Sequence, residues 1–207
     1  MPSPQGKDFV GTETFHWVDS SRLEWFTDEK SNDYREIMAQ IWYPGSNQQD
    51  KKVESYMDFI KLRSKTIAEA GNLPSFFPSH LNFVKTNSYF EIPCKNKKGG
   101  LPTVIFSHGI TGSRHLHQVL FEHLSSQGYV VVALDHSYDC NLTIFPDGRM
   151  ANYRSELTGH PDSIQIRNQQ INTRTKDIIF VLNQITKIHH GNLQLLPYIS
   201  IPLQSRI

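Results

Sequence analysis

The chain has 207 residues, of which 38% are hydrophobic and 20% charged, and its formal net charge is +1. This length fits one domain with a buried core, and the balanced charge argues against a surface for nucleic acid. The one dense basic run, at residues 95–98, is interpreted as a solvated loop.

Features that would place the chain in a membrane or an oxidising compartment are lacking in the sequence. Residues 1–7 have no apolar stretch typical of a secretory signal, and no segment approaches the ~18 apolar residues of a membrane-spanning helix. Cys94 and Cys140 lie far apart, which argues against a disulfide framework or a zinc site. We therefore expect a cytoplasmic protein without a transmembrane segment, metal or cofactor.

Two strands are predicted near the N-terminus, at residues 9–18 and 34–43, with a polar turn at 19–22. Apolar residues alternate in the second strand and would share one buried face: Ile37, Ala39, Ile41 and Tyr43. Residues 53–70 approximate a helical stripe that residues 71–74 would end, and residues 74–78 are irregular. We interpret segment 50–92 as an insertion lying over the core.

Residues 101–135 predict a strand–helix–strand unit. A short apolar run at 103–106 precedes a glycine-bearing loop at 109–113, and a second run at 129–134 ends in Asp135. A helix at 115–126 would connect the runs and bury one face, formed by Leu116, Leu120, Phe121 and Leu124. Unbroken Val/Ile runs around a helix are typical of buried parallel strands.

The last third of the chain combines a loop, a helix and a tail. Residues 137–162 form a predicted polar loop with a turn at 146–148, and residues 163–186 predict a long helix. Its buried stripe would consist of Ile171, Ile178, Leu182 and Ile185. Residues 187–207 have no clear period and form a divergent tail.

The loop that follows the 103–106 run carries the chemical signal. A glycine-bearing turn between a strand and a helix exposes backbone N–H groups, which can stabilise an oxyanion that develops on an ester carbonyl. The alternative is a plain turn whose glycines serve tight geometry. We expect the side chains around it to support the loop, and His108 to hold it by hydrogen bonds instead of acting as a base: Ser107, His108, Gly109 and Gly112.

Four segments resemble, in order, motifs of the platelet-activating factor acetylhydrolase family. Residues 39–44 (AQIWYP) resemble the family's VWYP, and residues 101–112 resemble its PVVIFSHGL segment. Asp135-His136 matches an acidic residue followed by His, and Arg167, Gln170, Arg174 and Asp177 match a helix that precedes the nucleophile. The resemblance implies an α/β-hydrolase that cleaves short sn-2 acyl groups of phospholipids with a Ser–Asp–His triad and no metal. It also implies that the backbone N–H of Ile110 belongs to the oxyanion hole.

The sequence departs from the family where the nucleophile is expected. It contains no GxSxG, the motif that places the serine after the long helix. We therefore expect a single incomplete domain over 1–207, family-like at 8–186, that lacks nucleophile, acid and base. Its fold would be a partial α/β-hydrolase fold, with a mostly parallel central sheet and antiparallel N-terminal strands, truncated before the nucleophile elbow. The strand at 103–107 would then be an unpaired edge through which chains could self-associate.

The residues are also compatible with two other functions. Asp135 after a glycine-bearing loop also fits a nucleotide-binding unit, although Gly109-x-x-Gly112 is not the G-x-G-x-x-G fingerprint. The other alternative is a non-catalytic lipid-binding remnant. The partner expected for an esterase is a phospholipid or another acyl-ester substrate at a lipid surface. His115, His117 and His123 are not spaced to form a metal cluster on one helix.

Overall fold

The structure is a computed structural model that describes residues 1–27, 32–47, 52–74, 76–98, 100–154 and 160–189. Within these residues, six strands form one sheet. Their order is β3 (Val53–Ser55), β4 (Lys85–Phe90), β1 (Phe9–Leu23), β2 (Tyr34–Gly45), β6 (Val130–His136) and β5 (Thr103–Ser107). The β1–β4 and β5–β6 pairs are parallel, and the other three pairs are antiparallel. The sheet is therefore mixed, and the expectation of a mostly parallel sheet is wrong for this part of the fold.

The two N-terminal strands are confirmed as an antiparallel pair, β1 (Phe9–Leu23) and β2 (Tyr34–Gly45). The alternating residues of β2 do share one buried face, and its other face is buried too because β2 lies inside the sheet. The predicted polar turn at 19–22 is wrong, because β1 continues to Leu23 with an irregularity after Asp19. In that stretch, the Asp19 carboxylate accepts hydrogen bonds from the backbone and side chain of Ser21 and from the Arg22 side chain.

The strand–helix–strand unit is confirmed as β5 (Thr103–Ser107), α2 (Gln118–Ser126) and β6 (Val130–His136). Helix α2 packs on one side of the sheet, where Phe121 meets Trp42 and Val131. The long helix α3 (Ser163–His189) packs on the other side. The result is an α/β arrangement with a helix on each face of the sheet.

Segment 50–92 is only partly an insertion. It contains β3 (Val53–Ser55), α1 (Ile60–Ala70), a 3-10 helix (Phe77–Phe83) and β4 (Lys85–Phe90), so the predicted helix is too long at its start. Strand β4 pairs with β1 and belongs to the sheet. Its polar sequence has no apolar alternation, because the buried Ser88 and the half-buried Asn87 hydrogen-bond to Glu122 of α2 instead of packing in an apolar layer.

The predicted buried stripes of α2 and α3 are partly wrong. Leu116 lies before α2, and both it and Leu120 are about half exposed, whereas Phe121 and Glu122 are buried. In α3, Ile185 is buried but Ile171 and Leu182 are exposed. Five buried polar residues take much of the contact surface of both helices: Gln118, Glu122, Gln170, Asp177 and Gln184. Two of them bond to the sheet, Glu122 to Ser88 of β4 and Asp177 to Arg35 of β2 and His136 of β6.

Residues 137–162 were predicted as a loop, but they include a hairpin of β7 (Leu142–Ile144) and β8 (Met150–Asn152). Its turn lies at the predicted 146–148. The tail at 190–207 falls outside the described residues, as does 155–159. Within the described part, β5 is an edge of the sheet, and no helix is both long and apolar enough to cross a membrane.

Candidate active site

The predicted oxyanion loop lies at the carboxyl end of β5 and leads to α2. The Thr111 N–H donates to the carbonyl of Asp139 at 2.9 Å, and the Gly112 N–H donates to the carbonyl of Gly109 at 2.9 Å. The Asn141 N–H donates to the Gly112 carbonyl at 3.0 Å. The bonds to Asp139 and from Asn141 therefore fix Thr111 and Gly112 of the loop to the segment after β6.

Ile110 lies at the outer point of this loop. Its residue surface is 42% exposed, and its backbone N–H has no hydrogen-bond acceptor among the described residues. The same holds for the N–H of Gly109. Two adjacent N–H groups on a fixed turn can therefore donate to a ligand.

The two glycines of the loop have different roles. A Cβ on Gly112 would lie 2.9 Å from the Gly109 carbonyl oxygen, so the tight turn requires glycine there. A Cβ on Gly109 would meet nothing within 4 Å. Gly112 supports the loop geometry, whereas Gly109 leaves open space beside the candidate site.

His108 has its ring nitrogens occupied. Its Nε2 accepts the backbone N–H of His136 at 3.0 Å, and its Nδ1 donates to the Gly109 carbonyl at 2.6 Å. Burial lowers its pKa below the ordinary histidine value, although the nearby Asp135 acts in the opposite direction. This arrangement suits a neutral ring that holds the loop, and it leaves no nitrogen free to act as a base.

A chain of hydrogen bonds in the order Ser–His–Asp lies directly beneath the loop. The Ser107 hydroxyl is 2.9 Å from His136 Nε2, and His136 Nδ1 is 2.8 Å from Asp177 Oδ2. The Arg35 guanidinium donates to both Asp177 oxygens, at 3.2 and 2.7 Å, and Arg22 reaches Asp177 at 3.0 Å.

Burial and nearby charges determine which atoms of Ser107, His136 and Asp177 carry protons. Burial lowers the pKa of His136 to about 4, although the hydrogen bond that His136 donates to Asp177 acts in the opposite direction, so the ring is neutral near pH 7. Burial alone would raise the pKa of Asp177, but the charge of Arg35 and the hydrogen bonds hold it well below its usual range. Neutral His136 therefore donates from Nδ1 to Asp177 and accepts the Ser107 hydroxyl proton at Nε2.

The surroundings of Ser107 favour a positioning role for the hydrogen-bonded residues Ser107, His136 and Asp177. Arg174 of α3 donates to the Ser107 hydroxyl at 3.2 Å and also to the carbonyl of His108. His136 and Asp177 are fully buried between the sheet and α3. The serine is thus held from the helix side, and the network ties the end of β5 and the start of the loop to α3.

Asp135 is not available for a ribose hydroxyl or a metal. It is fully buried, and it accepts the Arg114 backbone N–H at 2.7 Å and a bond from the Arg114 guanidinium. Its oxygen, His108 and Cys140 offer ligand atoms within 4.8 Å of one another. These residues do not fit a metal, because Arg114 neutralises the carboxylate and His108 already uses its nitrogens.

Comparison with known proteins assigns the chain to a family. The family model of platelet-activating factor acetylhydrolase, isoform II, matches residues 22–196. The chain belongs to this family. It is 28% identical over 130 residues to a platelet-activating factor acetylhydrolase of Canis lupus familiaris, a match that covers 58% of this chain and 28% of the dog protein.

Two further proteins are similar to parts of the chain or to its fold. A probable 1-alkyl-2-acetylglycerophosphocholine esterase of Arthroderma benhamiae is 30% identical over 88 residues, which is 42% of this chain and 22% of that protein. The structure of a ferulic acid esterase from Streptomyces cinnamoneus superposes with a TM-score of 0.66 at 26% identity. That superposition covers 97% of this chain and 51% of the esterase. The matched part of the chain therefore covers about a quarter of the length of these two relatives and about half of the length of the structural neighbour.

Sequence reasoning found the loop but missed the Ser107–His136–Asp177 chain. Each residue lies in a different family-like motif, at the end of β5, at the end of β6 and in α3. The available signal was that each of these three polar residues belongs to a motif that resembles one of the family's motifs. Their contact depends on the packing of α3 across the sheet, which no local pattern reveals.

Proposed function

We propose that this chain carries the oxyanion-binding loop of a carboxylic-ester hydrolase that acts on short sn-2 acyl groups of phospholipids. The observation that carries this proposal is the fixed loop after β5, on which the Ile110 N–H has no acceptor among the described residues. In ester hydrolysis, negative charge develops on the carbonyl oxygen, and a preoriented N–H stabilises it without reorganisation. Membership of an acetylhydrolase family supports an acyl ester as the substrate.

The proposal assigns no nucleophile to these 207 residues, because the sequence contains no GxSxG. The hydrogen-bonded Ser107 is assigned to positioning, since its hydroxyl donates to His136 and its oxygen accepts a hydrogen bond from Arg174. The chain alone is therefore expected to show essentially no turnover. A nucleotide-binding function is disfavoured by the burial of Asp135 against Arg114.

A lipid surface is the proposed place of action. Three phenylalanines around the 3-10 helix are exposed, Phe76 by 73%, Phe77 by 54% and Phe83 by 82%. Exposed aromatic residues this close together are typical of an interaction surface, and apolar phenylalanine rings can insert at the boundary between headgroups and acyl chains of a bilayer. The double variant Phe76→Ser/Phe83→Ser should lose most co-sedimentation with phosphatidylcholine vesicles. Ile164→Ser, which alters a side chain of similar exposure on α3, should retain it.

A chimeric enzyme tests the esterase proposal. Residues 103–113 of this chain would replace the matching segment of the dog acetylhydrolase. The chimera should retain most of its acetyl-ester hydrolysis, whereas a Gly/Ser loop of equal length should not. Loss of hydrolysis in the chimera, with correct folding verified by circular dichroism, would contradict the proposed role of the loop.

A further inference from the structure

A polar groove of about 540 Å³ lies between the end of β1 and one face of α3. Small-molecule sites usually have volumes of about 300–1,000 Å³, so the groove is large enough for a small ligand. Arg22, Leu23 and Trp25 form the β1 side, and Arg35 of β2 also contributes. In the described part of the chain, the lining includes no residue of the loop at 107–113, so the groove is separate from the proposed oxyanion site.

The opposite wall is one face of α3, and all of its lining residues are polar. They recur at the three- and four-residue spacing of a helix face: Gln165, Asn168, Gln169, Asn172, Thr173 and Lys176. Within the described residues, the Lys176 ammonium has no ion-pair partner and the four carboxamides have no hydrogen-bond partner. No acidic residue of the described chain lines the groove. This wall therefore offers unpaired N–H donors and one positive charge.

The β1 side carries two N–H groups that lack an acceptor. The Arg22 guanidinium donates to Asp19 at 2.6 Å and pairs with Asp177 at 3.0 Å, but its Nη2 has no hydrogen-bond partner among the described residues. The same holds for the indole Nε1 of Trp25. A buried donor without an acceptor is destabilising, so a ligand oxygen would be favoured there. Both nitrogens are shielded from solvent, so a ligand reaches them by moving neighbouring side chains.

The carboxylates nearest this wall are already neutralised. Asp177 pairs with both Arg22 and Arg35, and Glu24 pairs with Arg35 at 2.6 Å. These carboxylates therefore repel an anion less than unpaired ones would. Lys176 then remains as the surplus charge of the groove, and it is positive.

We propose that this groove binds a phosphoryl group, which either inorganic phosphate or a phosphate ester can supply. A phosphoryl group presents several oxygens in a tetrahedral arrangement, so it can accept from both walls at once, whereas a carboxylate has two oxygens in one plane. Arg22 and Trp25 would donate from the β1 side and Lys176 from α3. Guanidinium and ammonium groups both suit phosphate. This site does not depend on the proposed ester hydrolysis.

Isothermal titration calorimetry of the 207-residue chain at constant ionic strength tests the site with inorganic phosphate, glycerol 3-phosphate and acetate. Both phosphates should bind, and acetate should bind much more weakly. Tighter binding of glycerol 3-phosphate would identify a phosphate ester as the ligand, because its organic part would fill the rest of the groove. Equal affinity for the two phosphates would identify inorganic phosphate.

Two variants remove one donor each. Trp25→Phe removes the indole N–H and keeps an aromatic ring, and Lys176→Gln removes the charge on α3. Each should weaken phosphate binding by about tenfold, the equivalent of one hydrogen bond to a charged group. Lys187→Gln, which removes an exposed lysine of the same helix outside the groove, should bind as the unaltered chain does. Neither test variant alters the ion pairs of Arg22, so circular dichroism spectra should be unchanged.

Three results would overturn the phosphate site. One is the absence of binding by either phosphate, and another is acetate binding as tight as phosphate binding. The third is a phosphate affinity in folded Lys176→Gln or Trp25→Phe equal to that in Lys187→Gln. The unaltered chain alone decides the first two results, so a variant that fails to fold leaves the site testable.

Discussion

Asp177→Asn is the substitution with the largest predicted effect on stability. The carboxylate lies within 2.7 Å of Arg35, 2.8 Å of His136 and 3.0 Å of Arg22, and it is fully buried. Removing one partner of a buried ion pair costs about 3–5 kcal/mol, because the other charge stays buried. Arg35 keeps Glu24 at 2.6 Å, so we expect a loss near the lower end, about 3 kcal/mol.

Urea unfolding at pH 7, followed by circular dichroism, measures this loss, and the melting temperature should fall by about 6–12 °C for a chain of this size. The pKa of Asp177 is lowered in the folded state, so its contribution is present above the unfolded value and is lost as pH falls through the folded one. The difference between variant and unaltered chain should therefore shrink below about pH 4. Asp147→Asn, in an exposed pair with Arg149, is the control and should change little. A loss below about 1 kcal/mol for Asp177→Asn would refute the buried network as a source of stability.

Three other predictions concern different parts of the chain. Burial, followed by the charges of Glu91 and Glu54, raises the pKa of Glu13 to about 7, so its carboxylate destabilises the fold as pH rises from about 4.5 through 7. Glu13→Gln should be more stable at pH 8 by about 1–3 kcal/mol, and an unchanged dependence of unfolding on pH would contradict this. A fluorophosphonate probe should leave Ser107 unlabelled, and labelling abolished by Ser107→Ala would make that serine a nucleophile. Size-exclusion chromatography should detect concentration-dependent self-association through the β5 edge that Val104→Lys reduces, and a monomer at every concentration would rule it out.

The strand–helix–strand unit was predictable because its signals are local. The apolar runs of β5 and β6 form parallel strands, of which β6 is fully buried and β5, at the edge of the sheet, is only partly buried. The glycines between β5 and α2 mark a tight turn that requires glycine at position 112. The alternation in β2 likewise identified its core face. In each case the burial of side chains follows the period of the backbone, so the sequence carries the pattern directly.

The remaining features depend on contacts between distant residues. Strand β4 lacks an apolar alternation because Ser88 and Asn87 bond to Glu122, a residue 34 positions away from Ser88 in the chain. The buried side of α3 includes Asp177 because Arg35, 142 residues away, neutralises it. A charged residue at a buried position looks like a surface residue in the sequence, and only the packed structure reveals its partner.

The most direct measurement of the central claim compares two substitutions at Ile110 in the chimeric enzyme. Ile110→Pro removes the backbone N–H, and the loss of one oxyanion donor should lower kcat by about 10²–10³. Ile110→Ala keeps the N–H and should leave kcat nearly unchanged, because the side chain is not part of the chemistry. Equal kcat values for the two variants would contradict the assignment of Ile110 to the oxyanion hole.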